Sequence, residues 1–276
     1  MNRQTARVII GMLAVVCLGL VASVVYPVST STPHATLPAD EQFAVGDHEV
    51  FSVDTQFTVD GETELALEGT TTPDGPRYMR LQFGSDSVVE TYQTGPNATV
   101  YQRFTLRREE EGIDARRSSF ESDTDREIIR ETEIDAGTVF VVRTNYSIDF
   151  VAELSSAASL SVNSLQYTAY ERVDDPESNG GPAVYEPQGG WFDESRAYRI
   201  SNASGQVRVD SETGAVQSAT VSWGLTEPAD TYAHTRLARL FGDQPQRYAV
   251  EYDFETNVSN VSRPSWVPDE ASAATH

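Results

Sequence analysis

Apolar and polar residues alternate with a period of two along most of this 276-residue chain, and this constrains its fold more than any other feature. Two segments show the pattern most clearly, with apolar alternate positions at Phe51, Val53, Phe57 and Val59 in one, and at Tyr248, Val250, Tyr252 and Phe254 in the other. Successive side chains of a strand point to opposite faces, so the pattern indicates antiparallel strands with one buried and one solvated face. We therefore predict a mainly β fold with minor α content.

Turn and helix signals divide the rest of the chain. Asp60-Gly61 between two alternating segments predicts a two-residue hairpin of type I′. Ser147 is a candidate cap, and the apolar residues after it at helical spacing predict a helix of about 12 residues. These residues are Ile148, Val151, Leu154 and Ala158. A second short helix is predicted around residues 231–241, a projecting hairpin within residues 107–135, and a mobile loop at residues 174–190.

The N-terminus carries an uncharged, mostly apolar segment at residues 8–28, directly after Arg3 and Arg7. As a helix this segment would span about 31 Å, close to the hydrocarbon thickness of a bilayer. Its length favours a retained transmembrane helix, although a cleaved signal peptide stays open. Because positive residues stay inside, we expect the bulk of the protein to face outward from the cell membrane.

The predicted organisation follows from this segment. We expect a cytoplasmic stub at residues 1–7, the membrane segment at 8–28 and a Ser/Thr/Pro-rich stalk at 29–45. A single β ectodomain at residues 46–267 and a disordered tail at 268–276 complete the chain. A domain of this size can bury a sizeable core without disulfides. The single cysteine, Cys17, is expected to be a buried apolar residue of the membrane segment.

The charge is strongly negative, with 42 acidic residues against 20 basic ones and a formal net charge of −22. All the basic residues are arginines. This balance excludes simple electrostatic binding of nucleic acid or anionic headgroups. It fits a protein kept soluble in concentrated salt, so we expect a halophilic archaeal source. Because carboxylates are everywhere, paired acids lose their value as signals of a catalytic or metal site.

Three segments carry a resemblance to a known family. They are Tyr92-Gln93-Thr94-Gly95 with Tyr101-Gln102-Arg103, the hairpin at residues 205–216, and the closing segment at residues 258–267. In this order they resemble haloarchaeal cell-surface lipoproteins whose ectodomain has a LolA/LppX-type half-barrel. The resemblance implies a curved antiparallel sheet wrapped around one or two helices, with an apolar cavity that carries lipid or acyl chains in the bacterial relatives. The chain departs from the pattern at the lipobox, where Val16 precedes Cys17.

Two functions follow as alternatives. The first is a membrane-tethered extracellular protein that binds or carries a hydrophobic molecule, lipid or lipidated protein, in a half-barrel cavity. The residues expected to line that cavity are Phe51, Phe57, Ile148, Val151, Tyr248, Tyr252 and Phe254. The second is a structural or interaction module of the cell envelope, in which the same side chains form a filled core and bind no ligand.

Signals for catalysis are weak, and we predict no enzyme activity, no cofactor and no metal site. The four histidines lack zinc-ligand spacing, and Asp210, Glu212 and Gly214 predict a solvated hairpin tip rather than a calcium loop. N-x-S/T motifs do recur, which predicts glycosylation acceptors on an exported chain. The candidate acceptors are Asn97, Asn145, Asn202, Asn257 and Asn260.

Overall fold

The computed structural model describes residues 43–85, 87–107, 112–146, 148–173, 181–192, 198–226, 244–256, 258 and 261–269. This part of the chain forms thirteen strands and two helices. The strands are β1 (Ser52–Val59), β2 (Glu62–Thr70), β3 (Arg77–Phe83), β4 (Ser87–Gln93), β5 (Val100–Arg107), β6 (Arg126–Ile134), β7 (Gly137–Thr144), β8 (Ala169–Arg172), β9 (Ala183–Gln188), β10 (Gly190–Phe192), β11 (Tyr198–Val209), β12 (Val216–Thr226) and β13 (Gln246–Glu255). The helices are α1 (Ile113–Ser122) and α2 (Phe150–Leu165).

The strands form one curved, unclosed sheet in the order β6-β7-β5-β4-β3-β2-β1-β13-β12-β11-β9-β8, with β10 paired beside β11. All these strand pairs are antiparallel. The prediction of a mainly β fold with antiparallel strands is therefore confirmed. β13 lies in the middle of the sheet, where it joins the half built from β1–β7 to the half built from β8–β12.

The predicted hairpin between β1 and β2 is present. Asp60 and Gly61 both have positive φ angles, 53° and 86°, as a type I′ turn requires. The same turn is attached to β13, because the Asp60 N–H donates to the Arg247 carbonyl at 2.7 Å and the Arg247 N–H donates to Asp60 Oδ1 at 2.8 Å. The turn therefore helps fix the register of β1 against both of its neighbours.

The predicted helix after residue 147 exists but begins later and is longer. α2 starts after Asp149, whose carboxylate accepts a hydrogen bond from the Ala152 N–H at 3.1 Å, and it continues for 16 residues. The predicted cap Ser147 lies outside the described residues, and the structure places the cap at Asp149. Aspartate is among the strongest N-cap residues because its carboxylate accepts the free N–H groups of the first turn.

Two predictions for the irregular segments were wrong. Residues 107–135 were expected to form a projecting hairpin, but they contain α1 and the edge strand β6. The expected loop at residues 174–190 contains β9, while residues 174–180 lie outside the described residues. The second predicted helix, at residues 231–241, also lies outside them. β6 pairs with the next strand, β7, and β9 pairs with β8 and β11. Local charge and proline content did not reveal these pairings.

The N-terminal part of the described chain packs onto the fold. The Phe43 side chain is buried, with ring centroids 4.8 Å from Tyr170 and 5.7 Å from Tyr185. Ala44 forms a parallel bridge with Ala215. The predicted stalk at residues 29–45 therefore overlaps the fold at its end. At the other end Arg263 pairs with Asp269 at 2.8 Å, so the predicted tail also begins within the ordered contacts.

The predicted stub and membrane segment, residues 1–28, lie outside the described part of the chain. Within the part that is described, no helix is long and apolar enough to cross a bilayer.

Both helices cover the same face of the sheet, which we call the inner face. α2 packs over β1, β2 and β13, and α1 places Phe120 against Phe104 and Phe140. Residues that pair across neighbouring strands, or that lie two positions apart on one strand, point to the same face. Met79, which lies beneath α2, pairs with Thr91, and Thr91 pairs with Gln102, two residues before Phe104. Phe104 beneath α1 therefore lies on the same face as Met79. The opposite, outer face carries polar residues such as Asp54 and Glu68, and a group of tyrosines on β3, β4 and β5.

Helix α2 approaches the sheet closely at Gly69 on β2. A Cβ atom placed there would lie 2.2 Å from Leu154 Cδ1, and the Leu154 side chain is fully buried. The absence of a side chain at residue 69 therefore lets the helix seat directly on the sheet. Packing this close leaves no room for an added methyl group without displacing the leucine.

We expect Gly69→Ala to destabilise the fold. Overpacking costs about 1–3 kcal/mol, while replacing a strand glycine recovers about 0.5–1 kcal/mol, so a net loss of about 1–2 kcal/mol is expected. Denaturant unfolding followed by circular dichroism measures this change. Gly181→Ala is the matched control, because no atom lies within 4 Å of the added Cβ. Equal stability of the two variants would contradict the close packing of α2.

Candidate functional site

The inner face brings together the side chains that were predicted to line a cavity. Phe51 and Tyr252 are fully buried members of the main core. The other five predicted residues are partly buried and pack against that core; they are Phe57, Ile148, Val151, Tyr248 and Phe254. Their common orientation was predicted correctly from the period-two pattern and, for Ile148 and Val151, from helical spacing.

Aromatic rings on this face contact one another directly. The Phe51 and Phe254 rings stack with centroids 5.1 Å apart, and the Phe57 and Tyr248 rings with centroids 6.0 Å apart. Tyr248 also stacks on Trp223 at 5.9 Å. Offset aromatic pairs at these distances are ordinary core contacts. The rings therefore fill space with each other at the positions where a ligand cavity was considered.

Helix α2 closes this face with small side chains. Ala157, Ala158 and Ser161 lie on its buried side, next to Leu154. Small residues allow a helix to approach a sheet closely, and the Leu154–Gly69 contact marks how close it comes. The cover over the predicted cavity residues is thus a packed helix seated directly on the sheet.

Four buried hydroxyl groups on this face have no hydrogen-bond partner among the described residues. They are Thr144 Oγ1, Ser161 Oγ, Tyr170 Oη and Tyr252 Oη. Burial raises the pKa of both tyrosines above the ordinary phenol value, so both remain neutral donors. Leaving a buried hydroxyl unpaired costs about 1–3 kcal/mol. Because these groups have no partner, each of them can donate a hydrogen bond to, or accept one from, a polar group that enters the core.

The outer face carries a polar cluster that the sequence analysis did not identify. Glu90 lies at its centre: Tyr78 Oη donates to Glu90 Oε1 at 3.1 Å, and Trp266 Nε1 donates to the same oxygen at 3.2 Å. Arg103 pairs with Glu90 Oε2 at 3.1 Å. Burial and the neighbouring Glu90 charge raise the pKa of Tyr78 well above its usual value. We call these four residues the Glu90 cluster.

The Glu90 cluster fastens residues 261–269 to the outer face. Around it an apolar core brings Trp266, with Val261 and Val267, against Tyr92, Tyr101 and Val141. Tyr78, Tyr92 and Tyr101 are direct neighbours across β3, β4 and β5. Aromatic residues at outward positions of three strands were the available signal, but only the strand order shows that they adjoin.

A cleft of about 560 Å³ opens beside this fastened segment. Ile129 and Arg130 of β6 form one wall, and residues 263–269 form the other. Arg130 Nη2 donates to the Trp266 carbonyl at 2.7 Å, which joins the two walls. Arg263 Nη2 donates to the Val267 carbonyl at 2.7 Å and to Asp269 Oδ1 at 2.8 Å. The arginines therefore have defined positions.

The turn at residue 210 has the geometry predicted for a hairpin tip. Asp210 Oδ1 accepts hydrogen bonds from the Glu212 N–H at 3.0 Å and from the Thr213 N–H and hydroxyl, each at 2.9 Å. These bonds, those from Thr213 first, hold the pKa of Asp210 below its ordinary value. The carboxylate is thus engaged in the turn itself.

The remaining histidine and carboxylate signals do not converge. His48 is exposed, with its ring 5.8 Å from Phe254, in a cleft of about 390 Å³ next to the Asp210 turn. The other three histidines, His34, His234 and His276, lie outside the described residues. Across the described ranges, no three His, Cys, Asp or Glu side chains are grouped as metal ligands.

The structure locates three of the five candidate glycosylation sites. Asn97 and Asn202 are exposed and have positive φ angles of 59° and 53°, Asn97 in the turn after β4 and Asn202 at an irregularity of β11. Asn145 is exposed at the end of β7. Asn257 and Asn260 lie outside the described residues. Glycosylation stays a prediction, and all three described acceptors are exposed.

Comparison with known proteins adds no assignment. No family model, no curated protein and no solved structure matches this chain.

We expect Asp210→Asn to lower the thermal midpoint of unfolding near neutral pH and to have little effect in acid. The folded-state pKa of Asp210 is lowered, so its stabilisation is present above the ordinary aspartate pKa of about 4 and is lost as the pH falls through the folded value. Midpoints measured from about pH 7 down to about pH 2 test this. Glu212→Gln in the same turn is the control, and a pH-independent Asp210→Asn effect would contradict the hydrogen-bonding role of the carboxylate.

Proposed function

We propose that this protein is a non-enzymatic structural or interaction module of the cell envelope, whose half-barrel is filled by its own side chains. The observation that carries the proposal is the packing of the inner face. Phe51 and Tyr252, both expected to line a cavity, are at most 1 % exposed. The Leu154 side chain above them would collide with even a single methyl group on Gly69.

A lipid carrier needs an empty volume between α2 and the sheet, and in this structure side chains fill that volume. An acyl chain between α2 and the sheet would have to displace Leu154 and Ala158, which are both fully buried. It would also separate Phe51 from Phe254. Each displacement sacrifices core packing, at about 25 cal/mol for every Å² of apolar surface exposed again. A filled core without a guest is therefore the favoured arrangement.

Carriage of a hydrophobic guest is the second candidate, and the unpaired hydroxyls favour it. Ser161, Tyr170 and Tyr252 would gain partners from the polar group of a bound lipid or acyl chain. The partly buried side chains of Phe57, Val151 and Tyr248 would form the entrance. Under this alternative α2 moves away from the sheet when the guest enters. The resemblance to LolA/LppX-type half-barrels supports the same architecture for both candidates.

The proposed location rests on the charge and on the N-terminal segment. We propose that residues 8–28 tether the protein to the membrane of a halophilic cell, with the β domain outside. The acidic surface suits molar salt, where the Debye length shrinks to about 3 Å and like charges cease to repel at longer range. A net charge of −22 with no lysine is consistent with that setting.

Membrane tethering predicts how the protein fractionates. The full chain should stay with the membrane pellet after washing with concentrated salt and with alkaline carbonate, because a spanning helix is held by burial of apolar surface rather than by charge. Surface proteolysis of intact cells should remove the β domain. Complete release by salt alone, or protection of the domain in intact cells, would contradict this part of the proposal.

A substitution at Ala158 distinguishes the two candidate functions. In a filled core Ala158→Leu overpacks the interface and should lower the free energy of unfolding by about 1–3 kcal/mol. Ala152→Leu, on the exposed side of the same helix, should change it by less than about 0.5 kcal/mol. Denaturant unfolding of both variants measures the difference.

Native mass spectrometry of the full chain, with lipid extraction, supplies the second measurement. The filled core predicts an apo mass under conditions that preserve the fold. A stoichiometric lipid, together with an Ala158→Leu variant that keeps its stability but no longer binds lipid, would replace the proposal with the carrier function.

A further inference from the structure

The inner face holds two separate apolar clusters, one beneath α2 and one beneath α1. Met79 of the first cluster and Val142 of the second lie in one row of paired positions across β3, β4, β5 and β7. The two positions between them in this row are Thr91 and Gln102. Polar side chains therefore separate the two clusters.

The neighbouring row on the same face is polar as well. Arg77, Gln93, Val100 and Thr144 occupy directly paired positions on the same four strands. Gln102 lies two residues after Val100 and so adjoins them on the inner face. The side chains of Gln93 and Thr144 are at most 1 % exposed. We call Arg77, Gln93, Gln102 and Thr144 the polar seam.

Each side chain of the polar seam has a buried polar atom with no hydrogen-bond partner among the described residues. These atoms are Arg77 Nε, Gln93 Oε1, Gln102 Oε1 and Thr144 Oγ1. The Gln93 amide has a defined orientation, because its Nε2 donates to the Ala98 carbonyl at 2.9 Å and Oε1 is left free. The large majority of buried side-chain polar atoms bond to protein or to ordered water. Four unpaired atoms on neighbouring positions therefore indicate a partner from outside the chain.

The chemistry of these atoms defines the partner. The two glutamine oxygens only accept hydrogen bonds, whereas Arg77 Nε only donates, so the partner has to donate and accept. Arg77 and Gln93 are directly paired, yet Arg77 Nε donates to no atom of the described chain. A cation is disfavoured, because a guanidinium adjoins the site and none of the four residues carries a carboxylate. A small neutral molecule that donates and accepts, namely water, meets these requirements.

We propose that the polar seam is a binding site for ordered water molecules, which bridge its side chains and join the two apolar clusters. One water accepts from Arg77 Nε and donates to Gln93 Oε1, and others pair with Gln102 Oε1 and Thr144 Oγ1. A bridging water is nearly as favourable in enthalpy as a direct hydrogen bond. The site lies beside the packed side chains under α2, so it goes beyond the proposed function and does not depend on it.

Thr144→Val tests the site through the sign of its effect on the thermal midpoint of the full chain, followed by circular dichroism. Valine has nearly the shape of threonine but lacks the hydroxyl. If the hydroxyl is bonded to water, its loss removes a hydrogen bond, and the midpoint should fall by about 2–4 °C. If the seam is dry, the substitution removes an unpaired polar group, and the midpoint should rise.

Tyr252→Phe is the matched control. Tyr252 Oη is also buried and unpaired, but the residues paired with Tyr252 are Ala219 and Thr55, and the Thr55 hydroxyl donates to the Glu251 carbonyl. No second unpaired group adjoins it at these positions, so we expect no bridging water there. The midpoint of this variant should stay unchanged or rise.

Magnetic relaxation dispersion of the water signal, which detects water molecules held inside a protein, supplies a second measurement. Thr144→Val and Gln102→Met should reduce the internal-water signal relative to the unsubstituted chain, and Tyr252→Phe should not. The proposal is overturned if the Thr144→Val midpoint stays unchanged or rises, if Tyr252→Phe lowers the midpoint equally, or if neither seam variant reduces the water signal. If Thr144→Val does not fold, the water signal of Gln102→Met decides, and an unchanged signal rejects the site.

Discussion

The fold depends on the pairing of β13, the last strand that the structure describes, with β1 and β12 in the centre of the sheet. The Thr55 hydroxyl donates to the Glu251 carbonyl at 2.8 Å across this junction, between residues 196 positions apart. Without β13 the strands would form two separate sheets, and Val250 and Tyr252 would be missing from the core. Pairing between strands this far apart in the sequence requires the chain to close a long loop. The entropy lost in closing that loop is offset only after the strand contacts have formed, so slow folding is expected.

An open sheet has two faces, and this chain covers them by different means. α1 and α2 cover the inner face, where the apolar alternate residues lie. On the outer face residues 261–269 cover only the aromatic patch of β3–β7, and the acidic region around Asp54 needs no cover. The helices that cover the inner face produce the filled core. Residues 261–269 on the outer face produce the arginine-lined cleft, because it forms where this segment passes β6.

Local pattern predicted what depends on local geometry. The hairpin at Asp60-Gly61 and the shared face of Phe57 and Tyr252 follow from turn chemistry and strand periodicity. The outer-face site could not be predicted in this way, since Trp266 contacts Glu90 across 176 positions. Which strands become neighbours is decided by total packing, and several pairings of similar alternating segments satisfy the same local pattern. The position of α2 was predicted, whereas its seat on Gly69 was not.

The attachment of the N-terminal segment determines which part of the domain a pulling force reaches first. The Phe43 ring packs against Tyr170 of β8 and Tyr185 of β9. The Ala44 N–H donates a hydrogen bond to the Gly214 carbonyl at 3.0 Å, and the Val216 N–H donates one to the Ala44 carbonyl at 2.9 Å. A pulling force applied through the preceding residues would therefore act first on this short bridge and on the β8–β9 edge. The half built from β1–β7 lies across β13 from that load path. Under tension the sheet should yield from its β8 side, with the Glu90 cluster and the adjoining cleft among the last parts to open.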